Sequence, residues 1–310
     1  MFFWMRQPII AADQTPVEFT IPAGSGFKGS MIAIQRAGAP VNPMLMTVLA
    51  QLTGNSTRLK AGTYNIKPGT TPTQLLAQLV KGETSKEALV IIEGWTFKQM
   101  RQVINSNPYL KHDTAAWSDQ ELMEKIGAND AMPEGLFYPD TYLFAKNSSD
   151  MEIYRQSYQL MKKYLDAAWS KRAPDLPYAT PYDALIMASI VEKETGQKSE
   201  RAMIAGVFVN RLRKRMLLQT DPTVIYGMGD RFKGNISKRD LLTDTPHNTY
   251  TRVGLPPTPI SLPGLAAIEA ALHPATTSAL YFVSRGDGTS VFSNNLVDHI
   301  NAVRKYQLRR

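Results

Sequence analysis

The stretch from Thr180 to Thr195, reading TPYDALIMASIVEKET, constrains the chain more than any other. Threonine followed by proline is a strong helix start, because the hydroxyl can accept a free backbone N–H and proline's fixed φ suits the first helical position. From Ala184 to Val191 no charged side chain occurs, so this helix is apolar nearly all round. Such a helix belongs in the middle of a domain, wrapped by other elements. It ends in Glu192-Lys193-Glu194. Residues two apart on a helix point about 200° apart, so only one glutamate can face a given cleft, and the other becomes its outward-facing neighbour. Burial at such a helix end can raise a carboxyl pKa into the range of a general acid. Charges at helix ends are more often simply solvated, and spacing alone does not decide between the two readings.

A chain of 310 residues can surround such a helix, as one large domain or as two of unequal size. Hydrophobic residues at 43% and charged residues at 20% exclude wholesale disorder and a collagen-like chain. There is no cysteine, which excludes thiolate metal sites, a cysteine nucleophile and a disulfide framework. None of the histidines, His112, His247, His273 and His299, has the spacing of a helical zinc pair. The net charge of +8 favours an anionic partner. Its densest groups, Arg211 to Arg215 and the tail Arg304, Lys305, Arg309 and Arg310, read as a solvated helix face and a charged terminus, and no nucleic-acid motif accompanies them. No stretch approaches the ~20 apolar residues needed to cross a bilayer.

The start, MFFWMRQPII, reads either as a first strand or as the trimmed end of an anchor. Strand patterns follow at Val17–Ile21, within AGTYNIKPG and over about Ala88 to Gly94, and helical patterns at Gly29 to Ala37, Asn42 to Leu52 and Thr71 to Gly82. Residues 15–92 thus read as a small α+β domain. Beyond them, capping-box spacings at Thr96/Gln99, Ser118/Glu121 and Ser149/Glu152 mark helix starts. A helix is expected over Ser199 to Arg215 with Ile204, Phe208 and Leu212 on one stripe, and Asp221, as N-cap before Pro222, opens another. LYFVS-RGDG-TSVFS reads as a hairpin whose RGD is turn chemistry, and a last helix starts near Asn295.

Polar residues gather in three further stretches. LLQTDPTVIYGMG holds Gln219, Thr220 and Asp221. TPHNTYTRVGLPPTPISLPG is proline-rich, with Asn248 and Tyr250, and suits a stiff cleft wall. EGLFYPDTY sets Glu134 and Asp140 beside Phe137, Tyr138, Tyr142 and Phe144, as a sugar platform or an aromatic core cluster.

The ordered set EGLFYPDTY, MASIVEKET, VFVNRLR, LQTDPTVIYGMG, NTYTRVGLPPTPISLPG and YFVS closely resembles the endolytic murein transglycosylases, the YceG-like lytic transglycosylases, from about Glu93 to Val303. KAGTYNIKPGTT and the helix after it resemble the LysM-like region that precedes the catalytic domain in that family. The resemblance implies an α+β chain: a possible anchor remnant at 1–14, a small LysM-like domain at 15–92, and a larger, mainly helical, lysozyme-like catalytic domain with a C-terminal hairpin at 93–310. It implies cleavage of peptidoglycan glycan strands at the periplasmic face of a bacterial inner membrane, beside penicillin-binding synthases, with no nucleic acid and no metal or organic cofactor. Family members carry an N-terminal transmembrane anchor, of which only MFFWM could remain here.

The family's catalytic glutamate falls in EKET, and Glu194, followed by Thr195, matches its Glu-Ser/Thr pair, with Glu192 the second choice. The resemblance places Gln219, Asn248, Tyr250, Asp221 and Glu134 along the glycan cleft. The chain departs from the family's usual pattern at His247, where tyrosine is commoner, and at Thr258, where glycine is commoner. Two alternatives stand beside the transglycosylase: a hydrolytic muramidase using Asp221 as second carboxylate, and a non-catalytic wall-binding scaffold.

Overall fold

The computed structural model describes residues 3–128 and 132–308, which divide into two compact units. The first comprises Met1–Leu89, Asn107–His112 and Tyr142–Asp150; the second comprises Val90–Ser106, Asp113–Thr141 and Met151–Arg310. Met1 and Phe2 of the apolar start, and Arg309 and Arg310 of the basic tail, lie outside the described residues. Among the described residues no helix is long and apolar enough to cross a membrane.

In the first unit, β1 (Val17–Ile21) pairs antiparallel with β2 (Gly62–Ile66), setting Phe19 opposite Tyr64 with their rings stacked at 5.6 Å. The pattern V-E-F-T-I turns Phe19 and Ile21 inward, as a period of two requires. They meet Met31 and Ile34 of α1 (Phe27–Arg36), Met46 and Leu49 of α2 (Pro43–Leu52), and Leu75 and Leu79 of α3 (Pro72–Lys81). Helix α3 has both halves of a capping box, Thr71 and Gln74, and stops at Gly82, whose φ of 75° is the left-handed conformation glycine adopts without strain. Among the described residues the apolar start forms no strand: Trp4–Arg6 is a single 3-10 turn, and Ile10 is buried in this core. A second pair joins β3 (Lys86–Val90) to β4 (Thr141–Ala145). Strand β3 therefore ends before the expected Gly94; Ile92 is half exposed, and Gly94 at φ 79° turns the chain.

The second unit contains α4 (Phe97–Ser106), α5 (Asp119–Ile126), α6 (Met151–Ser170) and then α7 (Pro181–Glu194), the apolar helix that begins after Thr180. Every residue from Ala184 to Val191 is buried, enclosed by α6, α8 (Arg201–Arg213) and α11 (Leu265–Leu272). Helix α8 approaches the next layer at Gly206, where a Cβ would lie 2.6 Å from the carbonyl oxygen of Ala275, so only glycine fits. The proline-rich loop is stitched onto α7 by Ser189: its hydroxyl accepts from the Ile260 amide at 2.9 Å, and its carbonyl accepts from the Ser261 hydroxyl at 3.1 Å.

Two short helices, α9 (Asp221–Met228) and α10 (Lys238–Leu242), precede that loop. The hairpin follows: β5 (Tyr281–Ser284) against β6 (Ser290–Ser293), Tyr281 opposite Ser293. Its RGD is turn chemistry, with the Asp287 carboxylate accepting from the amide and hydroxyl of Thr289. Helix α12 (Leu296–Tyr306), capped by Asn295, ends the described chain. The whole is an α+β fold of helices and small antiparallel strand pairs.

Candidate active site

Thr195 is extended (φ −144°, ψ 133°), so α7 stops at Glu194 and its two glutamates diverge. Glu192 is not the outward-facing neighbour expected of it. Its side chain is 5% exposed, Arg201 donates to Oε1 at 2.8 Å, and the Gly264 amide donates to Oε2 at 2.9 Å. The reason is α8: it places the buried Arg201 beside Glu192, and the two charges compensate each other out of water. Burial still pushes the Glu192 carboxyl up, against the pull of Gly264 and Arg201.

Glu194 stays partly accessible as a residue, but its carboxyl is desolvated, which pushes its pKa up to about 7. The Thr220 hydroxyl donates to Oε1 and lowers it, while the nearby Asp221 charge raises it. Thr220 belongs to a strained turn. Gln219 just before it holds φ 49°, uncommon for a residue with a side chain. That turn is pinned by the Gln219 amide donating to the Thr249 carbonyl at 3.1 Å and by the Thr220 amide donating to the Thr249 hydroxyl, also at 3.1 Å. Arg211 holds the same turn, its Nη1 donating to the carbonyls of Leu217 and Leu218 at 3.0 Å each and to Gln219 Oε1 at 3.3 Å.

Asp221 is not the N-cap of α9. Thr220 holds that position without capping an amide, since its hydroxyl is directed at Glu194, and Asp221 is the first helical residue. Its exposed carboxylate instead accepts from the Tyr250 hydroxyl at 2.5 Å. Burial and then Asp221 push the Tyr250 phenol pKa up. Asn248 is 1% exposed and committed to backbone: Nδ2 donates to the Thr243 carbonyl at 2.7 Å and Oδ1 accepts from the Tyr250 amide at 2.8 Å. It braces Tyr250 from behind.

Glu194, Gln219, Asp221 and Tyr250 line one open cavity of about 510 Å³, together with Arg211, Tyr281 and His299. The structure does not bring Glu134 there. That residue lines a separate cavity of about 520 Å³, where its carboxylate accepts from the Phe97 amide at 3.0 Å and the Tyr226 hydroxyl at 3.1 Å, and burial pushes its pKa up to about 7. The aromatics beside it resolve as packing: Phe137, Tyr142 and Phe144 are buried, and Tyr138 sits 4.6 Å from the Tyr164 ring. The two departures from the family pattern bond to each other, His247 Nε2 lying 2.9 Å from Thr258 Oγ1. Among the described residues no cluster of three or more histidine, aspartate or glutamate side chains could hold a metal ion.

Arg211, Tyr281 and His299 of this cavity, and Thr220 at the Glu194 carboxylate, were not among the expected site residues. Thr220 was visible only as part of a polar loop. Tyr281 and His299 arrive through the hairpin and α12, whose fold-back no local pattern announces. Arg211 did leave a signal: it follows Ile204 and Phe208 at helical spacing, on the buried stripe rather than the solvated face assigned to it.

The fold and cavity define a class: an α+β protein whose helical unit holds a desolvated glutamate, tied to a threonine hydroxyl, in an open polar cleft. Within it the chain belongs to the YceG-like family, whose model matches residues 19–305. An endolytic murein transglycosylase of Bacillus subtilis (strain 168) is 30% identical over 97% of this chain and 88% of its own length. The enzyme of that name from Streptococcus pneumoniae D39 is 29% identical over 96% of this chain, which spans 60% of the pneumococcal protein. The crystal structure of a YceG-like protein of Listeria monocytogenes superposes with a TM-score of 0.60 at 29% identity, covering 92% of this chain and 98% of that one.

Proposed function

We propose that this chain is a lytic transglycosylase of peptidoglycan and that Glu194 is its acid and base. The observation that carries the reading is the desolvated Glu194 carboxyl with a pKa of about 7 at an open polar cleft, in a chain whose relatives bear the name endolytic murein transglycosylase. Near that pKa one group can both give and take a proton. Protonated Glu194 donates to the oxygen linking MurNAc to GlcNAc, and the C1–O bond breaks. The C6 hydroxyl of the same MurNAc attacks C1 and returns its proton to the Glu194 carboxylate, closing a 1,6-anhydro ring. No water enters and the enzyme is restored. Because the nucleophile is intramolecular, proximity does much of what a second carboxylate does in hydrolytic glycosidases.

Gln219, Tyr250 and Asp221 contact the sugar beside Glu194, whereas Asn248 acts by holding Tyr250. Residues 15–92 form a LysM-like domain that holds glycan, and residues 93–310 form a lysozyme-like catalytic domain. The chain acts at the periplasmic face of the inner membrane, where penicillin-binding synthases extrude new strands, and limits strand length by cutting internally. These parts rest on the family resemblance.

The test is mass spectrometry of products from purified peptidoglycan incubated with the wild-type chain and with Glu194→Gln. Ends carrying 1,6-anhydro-MurNAc, absent with the variant, are expected. Products one water heavier would make this a hydrolase and Asp221 its second carboxylate. Binding without turnover would make it a scaffold.

A further inference from the structure

Helix α8 carries two arginines into the interior, and only one meets a counter-charge. Arg201 is 6% exposed and paired with Glu192. Arg211 is 8% exposed, and no ion pair joins it to a carboxylate among the described residues. Its donors go to neutral oxygens instead. Nε donates to the Leu280 carbonyl at 2.6 Å, and Nη1 is engaged by the Leu217–Gln219 turn. Nη2 is left over. It has no acceptor among the described residues and is not sealed from solvent, and Arg211 lines the cavity that holds Glu194.

This edge is also rigid. Its neighbours on the guanidinium are fixed to three backbone carbonyls, and Cζ lies 5.0 Å from the centroid of the Tyr281 ring. A buried guanidinium whose bonded partners are all neutral keeps its charge uncompensated, and an anion carried by a ligand in the cavity it lines would compensate it. Burial pulls the Arg211 pKa down, and burial together with the Arg211 charge pulls down that of His299 across the cavity, as an unmet positive charge would.

We propose that the free edge of Arg211 receives a carboxylate of the substrate strand, making Arg211 a specificity-determining residue. The inference rests on the transglycosylase reading for its substrate. Peptidoglycan offers this group from two sources: the lactyl carboxylate of a MurNAc that has lost its peptide, and the carboxylates of a peptide still attached. Either would accept a charge-assisted bond from Nη2, stronger than the neutral contacts elsewhere in the cleft.

Four strand preparations test it: strands with peptides, the same with carboxylates amidated, strands without peptides, and those with the lactyl carboxylate amidated. Product formation is followed with the wild-type chain and with Arg211→Gln, and affinity by fluorescence anisotropy of labelled strands on the Glu194→Gln chain. Amidation is expected to weaken binding and raise KM about tenfold in one of the two pairs, naming the source, with kcat little changed. Arg211→Gln erases the difference between charged and amidated strands. Equal affinity for charged and amidated strands in both pairs would overturn the proposal, and so would an Arg211→Gln chain that loses equally on both, which is the signature of a brace. The wild-type arm needs no substitution at Arg211, so a variant that fails to fold leaves it intact. A chain that discriminates by charge yet releases no product would overturn the transglycosylase reading alone; one that cuts all four alike would overturn this proposal alone.

Discussion

Thr220 donates its hydroxyl to the Glu194 carboxylate, and that bond joins the end of α7 to the start of α9. It opposes the burial around it. Desolvation and the Asp221 charge favour the protonated acid, the Thr220 hydroxyl favours the carboxylate, and the balance stands at about 7.

Removing the hydroxyl should therefore move the pH profile and not merely lower it. Thr220→Val keeps the shape of the side chain but leaves Glu194 more easily protonated. The limb on which activity falls as Glu194 loses its proton, near pH 7 in the wild type, shifts to higher pH in log(kcat/KM) plots. An unmoved limb would show that the observed titration belongs to another group.

The same shift bears on stability. An acid whose pKa is raised by folding holds its proton more tightly folded than unfolded. Below about pH 4.5 both states are protonated and nothing is lost; between there and about 7 the unfolded chain ionises first, so stability falls as pH rises, and above 7 the loss is complete. For Glu194 the span is on the order of 3 kcal/mol, and Glu134 contributes in the same direction. Glu194→Gln should be more stable than wild type at pH 8 and little different at pH 4.5 to 5, read from urea midpoints.

Glu192 gives the opposite outcome on stability. Glu192→Gln leaves buried Arg201 with only the half-exposed Glu93 carboxylate at 3.9 Å, and a loss of about 2 kcal/mol is expected in denaturant unfolding. Activity per folded molecule should survive, since the Glu192 carboxylate is committed to Arg201 and Gly264. Loss of turnover in a stably folded Glu192→Gln protein would move the catalytic role to Glu192.

His247 and Thr258 should behave as a pair. Tyrosine at 247 is longer than histidine and meets the Thr258 side chain; glycine at 258 removes it. Each of His247→Tyr and Thr258→Gly alone should destabilise, and the double variant should recover about 1 kcal/mol relative to their sum. Additive costs in the thermal midpoints would show the two sites to be independent.

What was legible in the sequence was whatever local chemistry decides. The capping boxes expected at Thr96/Gln99 and Ser118/Glu121 form, helices start after Thr71 and Thr180 as expected, and the apolar run of α7 places it at the centre of its core. What was not legible depended on partners distant in the chain. Glu192 looks like a surface charge until α8 sets Arg201 beside it. Asp221 looks like a helix cap until Tyr250 arrives to bond it, and Glu134 looks like a cleft residue until the Phe97 amide and the Tyr226 hydroxyl enclose it. The ends of β3 were misplaced for a related reason: an apolar run of Val90, Ile91 and Ile92 continues the strand pattern past the point where the chain turns away.

The hairpin and α12 line the cavity that holds Glu194, though both are encoded well after it. A ribosome therefore emits Glu194 before the far side of its groove. A chain released anywhere before Tyr281 would carry the glutamate with Tyr281 and His299 missing from its surroundings, so an unfinished molecule has a proton donor and no completed place for a sugar to sit. On the proposed reading of Glu194, competence waits for the hairpin and α12, and the order of synthesis keeps that carboxyl idle until both are in place.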